Sequence, residues 1–254
     1  GGSRGVTNLR TGNPDLKAER SRNLNVGAVW SPDADSSIGL DWYRIEQDNL
    51  VKPDSAQFIV DNPTLFPGRV QRDAQGRIQI ITNQYANQGE LTTSGIDLEA
   101  NRTFRTDGWG NFTVAGSWTH LLSFKQPLVA GQAPYEGAGN NRHGALPRTR
   151  GTTSLNWAVG DWSSTLSLQY VSGYDQRVAT ATSNPGLRDR VKPYHQLDLY
   201  VAYEGIPKTT LSLSVLNLTD KDPPFDPAGG SSGFDISQYN LRGQFVSLGA
   251  RYRF

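Results

Sequence analysis

The sequence predicts an all-β fold: an antiparallel up-and-down transmembrane β-barrel, present here in part. Three observations carry that reading. Apolar residues recur at every second position in segment after segment, the links between segments alternate between short and long, and aromatic residues collect at the two ends of the apolar face.

Leu24, Val26, Ala28 and Trp30 form the first alternating face, Ile38, Leu40 and Trp42 the second, and Ile96, Leu98, Ala100 and Phe104 the third. Phe112, Val114, Gly116 and Trp118 follow, then Thr153, Leu155 and Trp157, then Trp162, Leu166, Leu168 and Tyr170. Leu197, Leu199, Val201 and Tyr203 precede Leu211, Leu213 and Val215. The last face is Val246, Leu248, Ala250, Tyr252 and Phe254. Because period-two alternation puts each set on one side of a strand, this makes about nine strands.

The connections at Ser31–Ser36, Thr106–Gly108, Gly160–Asp161 and Gly205–Lys208 are short and carry turn chemistry. The others are long, covering roughly residues 50–93, 123–147, 175–192 and 219–238. In an up-and-down barrel every second link lies at the same end, so one rim is short and the other long. Outer-membrane barrels have short periplasmic turns and long extracellular loops.

Alternation alone also fits a soluble barrel, whose apolar face points inward. The aromatics separate the two. Trp30, Phe104, Phe112, Trp157, Trp162, Tyr203, Tyr252 and Phe254 are in phase with the apolar face beside a short turn or the last residues. Trp42, Trp118, Tyr170 and Tyr174 are in phase near the long links, as a second interfacial girdle requires. The competing account places these rings in a β-sandwich core.

The 254 residues carry 25 Lys and Arg against 24 Asp and Glu, a formal charge of +1, so nothing points to nucleic acid. There is no cysteine, hence no disulfide framework and no thiolate metal site. Mean hydropathy is −0.54 and no apolar run is long enough for a transmembrane helix. Membrane strands escape that criterion, because only half their residues face lipid. Gly1-Gly2-Ser3-Arg4 lacks the features of a signal peptide. An odd strand count cannot close antiparallel, so the N-terminal part of the barrel is expected to lie outside this chain.

Gly12-Asn13-Pro14-Asp15-Leu16-Lys17-Ala18-Glu19-Arg20-Ser21 is similar to the G-N-P-x-L-K-P-E-x-S segment leading into a descending strand of TonB-dependent outer-membrane receptors, with Ala18 in place of the usual proline. Asn87 with Gly95-Ile96-Asp97-Leu98-Glu99 resembles the family's strand entry, and Asn217-Leu218-Thr219-Asp220-Lys221 its element ahead of the last extracellular loop. Gly243 through Phe254 is similar to its closing strand. The resemblance implies a barrel of about 22 strands filled by an N-terminal plug, with residues 1–254 supplying about its last nine strands and neither plug nor TonB box. It further implies coupling to the TonB complex through that plug and uptake of a scarce nutrient, most often a ferric siderophore or similar chelate. Val246, Leu248, Ala250, Tyr252 and Phe254 resemble the signal read by the barrel assembly machinery. Outer-membrane lipid and lipopolysaccharide are the remaining implied partners.

No nucleophile–base set, metal-ligand spacing or cofactor fingerprint is found, so no enzyme, metal or cofactor is expected. Asp97 and Glu99 read as polar lumen wall, and His120, His143 and His195 are scattered. An outer-membrane barrel enzyme or a soluble β-sandwich carbohydrate-binding module are the alternatives weighed. Recognition chemistry falls in the long links: Tyr135, Arg142 and His143 in the second, and Arg177, Arg188 and Arg190 with Lys192 around the third. These suit an anionic ligand, although lipopolysaccharide phosphates or solvent compete for the same cations.

Overall fold

The computed structural model describes residues 5–54, 56–87, 89–127, 132–176, 190–229 and 232–254. Its elements in chain order are β1 (Thr7–Thr11), β2 (Arg20–Asp33), β3 (Ser36–Asp48), β4 (Val51–Pro53), α1 (Ala56–Asp61), β5 (Val70–Arg72), β6 (Ile78–Asn87), β7 (Leu91–Thr106) and β8 (Gly110–Gln126). Then come β9 (Tyr135–Glu136), β10 (Thr149–Val159), β11 (Trp162–Val171), β12 (Tyr174–Asp175), β13 (Arg190–Val191), β14 (Tyr194–Ile206), β15 (Thr209–Leu216) and β16 (Phe245–Tyr252). One long sheet runs in the order β16-β15-β14-β11-β10-β8-β7-β3-β2, with the short β9 attached to β8. Its nine principal strands are the nine alternating segments, each beside its sequence neighbours, as an up-and-down wall requires.

The register sorts side chains into two faces. Val114, Leu155, Leu166, Leu199, Val215 and Val246 stand opposite one another across six strands. Directly opposed residues share a face, so this row is continuous and apolar. One position along, Thr113, Asn156, Thr165, Tyr200, Ser214 and Ser247 form a largely polar row on the other face. Side-chain hydrogen bonds run along this face: Thr113 Oγ1 shares one with Thr103 Oγ1 of β7, and Thr165 donates to Asn156 Oδ1 at 2.7 Å. Val114, Leu155 and Leu166 are exposed, so among the described residues no second layer covers this face as it would in a soluble sandwich.

Aromatic pairs mark both ends of the apolar face. Phe112 and Trp157 stack with centroids 6.4 Å apart, Trp162 and Tyr203 lie 4.6 Å apart, and Tyr252 and Phe254 meet edge to face at 5.2 Å, all near short turns. Trp118 and Tyr170 pair at 5.6 Å toward the long links. Between these two stands Gly151, opposite both. The Trp118 ring lies across it, where any Cβ would overlap the indole, so glycine is required for the rings to meet. The short connections include Gly160 and Lys208 with φ of 53° and 61°, the left-handed geometry that lets a two-residue turn match the strand twist.

The chain divides into two compact units, each described by itself. The smaller gathers the N-terminal segment through Asn23 with Ile45–Thr92 and Lys125–Glu136. In it β6 pairs with β1 in parallel and with β4 and β5 antiparallel, and α1 buries Ile59. The first long link is thus folded, a feature that its sequence gave no period to predict. Asn87 closes this unit: its amide accepts from Lys17 N–H at 2.9 Å and donates to the Lys17 and Asn49 carbonyls. Glu19 accepts from the Val51 N–H and Asn13 donates to the Tyr85 carbonyl. The G-N-P segment and Asn87 therefore answer each other.

The larger unit contains Leu24–Arg44, Thr93–Phe124 and Gly137–Phe254. Tyr174 and Val191 are completely buried in it, and Tyr194, Phe234 and Tyr239 form a cluster. Tyr174 corrects the sequence reading. It is 0 % exposed in the β12–β13 pair, so it is a loop-core residue and no member of the girdle; alternation continued past the strand end was the wrong extrapolation.

Candidate functional site at the long-loop end

Within the larger unit, three long links converge around one carboxylate. β12 leaves the end of β11 and pairs with β13, Tyr174 opposite Val191 and Asp175 opposite Arg190. The preceding loop joins through backbone: Asp175 N–H donates to the Gly139 carbonyl at 2.8 Å, and Asn141 N–H donates to the Asp175 carbonyl at 3.2 Å. The last long link supplies Asp226, only 3 % exposed. Asp226 Oδ2 accepts from the Tyr174 hydroxyl at 2.7 Å, and Oδ1 accepts from the Gln176 amide and, at 2.8 Å, from the Ala228 N–H. Asn141 Nδ2 donates to Gln176 Oε1 at 3.1 Å. Asp226 thus fastens the third link to the last directly and reaches the second through Gln176, and both carboxylate oxygens are satisfied as a buried carboxylate requires.

The surrounding tyrosines feel the same environment. Burial, then the hydrogen bond to Asp226, pushes the Tyr174 phenol far above its ordinary value. Burial and the charges of Asp235 and Asp226 push Tyr239 up to about 12. Both are therefore neutral, and Tyr174 is a fixed donor. A cavity of about 300 Å³ beside the knot is lined by Asn141, Asp226, Ser232, Phe234, Asp235 and Ile236 among others. Its lining is acidic and amide-bearing, the wrong sign for direct capture of an anion.

Of the site residues expected from sequence, Arg142 and Arg190 fall on segments that meet at Asp175. Arg190 pairs with Asp175 at 3.2 Å with its side chain largely exposed, and Arg142 N–H donates to Asn140 Oδ1. His143 packs against Phe124 with centroids 5.7 Å apart. Tyr135 lies in the smaller unit, opposite Gln126. Arg177 and Arg188 lie outside the described residues. Asp97 accepts from Thr119 Oγ1 at 2.6 Å, within the polar wall as expected. Among the described residues no group of acidic or histidine side chains has the arrangement of a metal site. Sequence reasoning missed Asp226, Gln176 and Asn141. Their one signal was an acidic residue between prolines in Pro223-Pro224-Phe225-Asp226-Pro227, a loop too constrained to be a featureless tether.

A family model described as TonB dependent receptor-like, beta-barrel, matches residues 2–218. The chain belongs to the TonB-dependent receptor family. A comparison with curated protein sequences finds no match. Solved receptors share the fold. An arginine-to-alanine mutant of the ferric enterobactin receptor of Pseudomonas aeruginosa, in complex with enterobactin, is 20% identical; the match covers 96% of this chain and 32% of that one, with a TM-score of 0.63. The siderophore receptor PirA of Acinetobacter baumannii matches at 16% identity over 96% of this chain and 33% of its own, with a TM-score of 0.64. The ferric-catecholate import receptor Fiu of E. coli K12 matches at 16% over 95% and 29%, with a TM-score of 0.57. The chain spans about a third of the length of these receptors. TonB-dependent receptor barrels lie in the bacterial outer membrane.

Proposed function

We propose that this chain is the C-terminal part of a receptor that takes up a ferric siderophore or similar iron chelate, with energy from TonB reaching it through a plug outside these residues. Family membership supports the class, and the three-loop knot at Asp226 is the observation that carries the capture role. A receptor loop must hold its ligand-facing surface in one arrangement before binding, because ordering it afterwards costs affinity. Asp226 contributes to that by tying loop segments together, and Arg142 and the Asp175-paired Arg190 stand on the segments so joined. The β2 and β16 edges each have one neighbour here; in the complete barrel they pair with the remaining strands, which removes open edges. Val246, Leu248, Ala250, Tyr252 and Phe254 serve as the assembly signal in this reading.

The test is uptake of radioactive iron by iron-starved cells carrying the full-length protein as their only receptor. Chelates of catecholate, hydroxamate and citrate type are supplied separately. One of them is expected to enter only when both the receptor and TonB are present. Failure of all three classes, or uptake undiminished without TonB, overturns the proposal.

A further inference from the structure

On the apolar face of the larger unit, five strands form a groove of about 500 Å³ lined by Trp30, Ile38, Leu98, Val114 and Trp118, with Ala100 and Gly116 as its floor. The register explains it. The hydrogen bond shared by Thr103 and Thr113 and the one Thr119 donates to Asp97 set β7 against β8 so that Ala100 falls opposite Gly116. Gly116 in turn faces Thr153. Three small side chains in one row leave a furrow between large ones. Trp118 is held as its wall, its indole N–H donating to Thr153 Oγ1 at 3.0 Å. The furrow is therefore built into the resting wall.

At the short-turn end of this groove stands Arg102, in phase with Leu98, Ala100 and Phe104 on the face that otherwise meets lipid. Its guanidinium donates to Ser36 Oγ at 3.1 Å and lies 5.2 Å from the Phe104 ring centroid. It makes no ion pair among the described residues; the nearby carboxylate of Asp35 is taken by Arg105. A cation on a lipid-facing surface needs an anion or water at the interface. Four residues of strand, about 13 Å, separate Arg102 from Leu98, so the apolar furrow begins at the cation and runs toward the membrane centre.

We propose that this groove is a binding site for one anionic phospholipid of the periplasmic leaflet, its phosphate on Arg102 and Ser36 and one acyl chain along Ala100 and Gly116. The occupant follows from charge and leaflet: the short turns are periplasmic, where the lipids are phospholipids, and a guanidinium with spare donors selects a phosphate oxygen. The inference is independent of which nutrient the receptor carries.

The full-length protein, reconstituted in vesicles of phosphatidylethanolamine with one-fifth phosphatidylglycerol and then extracted in mild detergent, is analysed by native mass spectrometry. The wild type is expected to retain one phosphatidylglycerol. Arg102→Gln should reduce its occupancy by about tenfold, the scale of one lost charge-assisted contact, and Ala100→Trp, which fills the furrow while leaving the cation, should also reduce it. Heat-modifiable gel mobility confirms that both variants are folded, and Arg102→Lys should retain part of the occupancy. No retained lipid in the wild type, retention of phosphatidylethanolamine with equal frequency, or wild-type occupancy in either variant overturns the site.

Discussion

Replacing Leu166 by arginine tests the wall's orientation where the effect is largest. Leu166 is four residues from Trp162 and four from Tyr170, the aromatic positions at the two ends of its face. At about 3.3 Å per residue and a strand tilt near 40°, each girdle is about 10 Å away in depth, which puts Leu166 at the midplane. An arginine there is expected to cost ~2–4 kcal/mol, roughly a thirtyfold to thousandfold shift in the folding equilibrium. Leu155 and Leu199 on either side offer the new cation no partner. The control is Ser167→Arg, one position along and opposite Asp198, where the polar face is wet and a carboxylate is near; its cost should stay within about 1 kcal/mol. Asp198 itself is a poor control, because it accepts from Gln169, Gln196 and the Asn217 N–H. The assay is urea titration of the full-length protein folded into lipid vesicles, read by heat-modifiable mobility. Equal losses for both variants, or a larger loss for Ser167→Arg, would refute the assignment of faces.

Single cysteines at Thr113 and Asp198 should react with a water-soluble maleimide more strongly than cysteines at Val114 and Leu199; the reverse order would turn the wall inside out. Gly151→Val should destabilise the barrel by about 1–3 kcal/mol through overpacking against Trp118, and an unchanged urea midpoint would mean that the rings move aside freely. Asp226→Leu leaves Tyr174 and Gln176 without acceptors, at about 1–3 kcal/mol for each buried group; loops that resist protease as well as in the wild type would argue against the knot. Tyr239 has its pKa raised from 10.0 to about 12 in the folded loops, so the folded state binds more protons between those values. Loop protection from protease should therefore fall as pH rises from 10 through about 12, and a flat profile over that window would contradict the burial. Phe254→Ala should lower the amount of receptor assembled in cells while Arg253→Ala should not, judged by surface accessibility; equal effects would remove the assembly-signal reading.

Wall and loops differed in how far the sequence exposed them. The wall was legible because a strand in two solvents must alternate, and Leu197 through Tyr203 records that requirement in every second residue. Tyr174 shows where the rule ends: three residues beyond the end of β11 the chain has left the long sheet, and the ring is buried in a loop core. The knot was illegible because its members, Asn141, Gln176 and Asp226, are separated by up to 85 residues and have no spacing that announces a contact. Cations such as Arg142 and Arg190 could be found from composition, but their juxtaposition through Asp175 depends on backbone pairing between loops.

Two of the motifs that carried the family resemblance, at Asn87 and at Asn217 to Lys221, share a physical position: they stand where a strand gives way to a connection. There the backbone N–H and C=O groups lose their partners while still near the sheet, and something must satisfy them. Asn217 does this at the end of β15, its amide accepting from the Lys221 N–H at 2.9 Å and donating to the Lys221 carbonyl at 3.1 Å, with its own φ at 51°. Asp220, also left-handed, accepts from the Gln244 N–H at 2.7 Å and so ties the return of the same loop. Asn87 performs the corresponding task for Lys17 and Asn49. Short amides and carboxylates suit these junctions because they tolerate left-handed backbone and reach main-chain groups a few residues away. The requirement is set by strand geometry and is indifferent to what the loop binds. Motifs of this kind therefore identify the barrel and say nothing of the ligand.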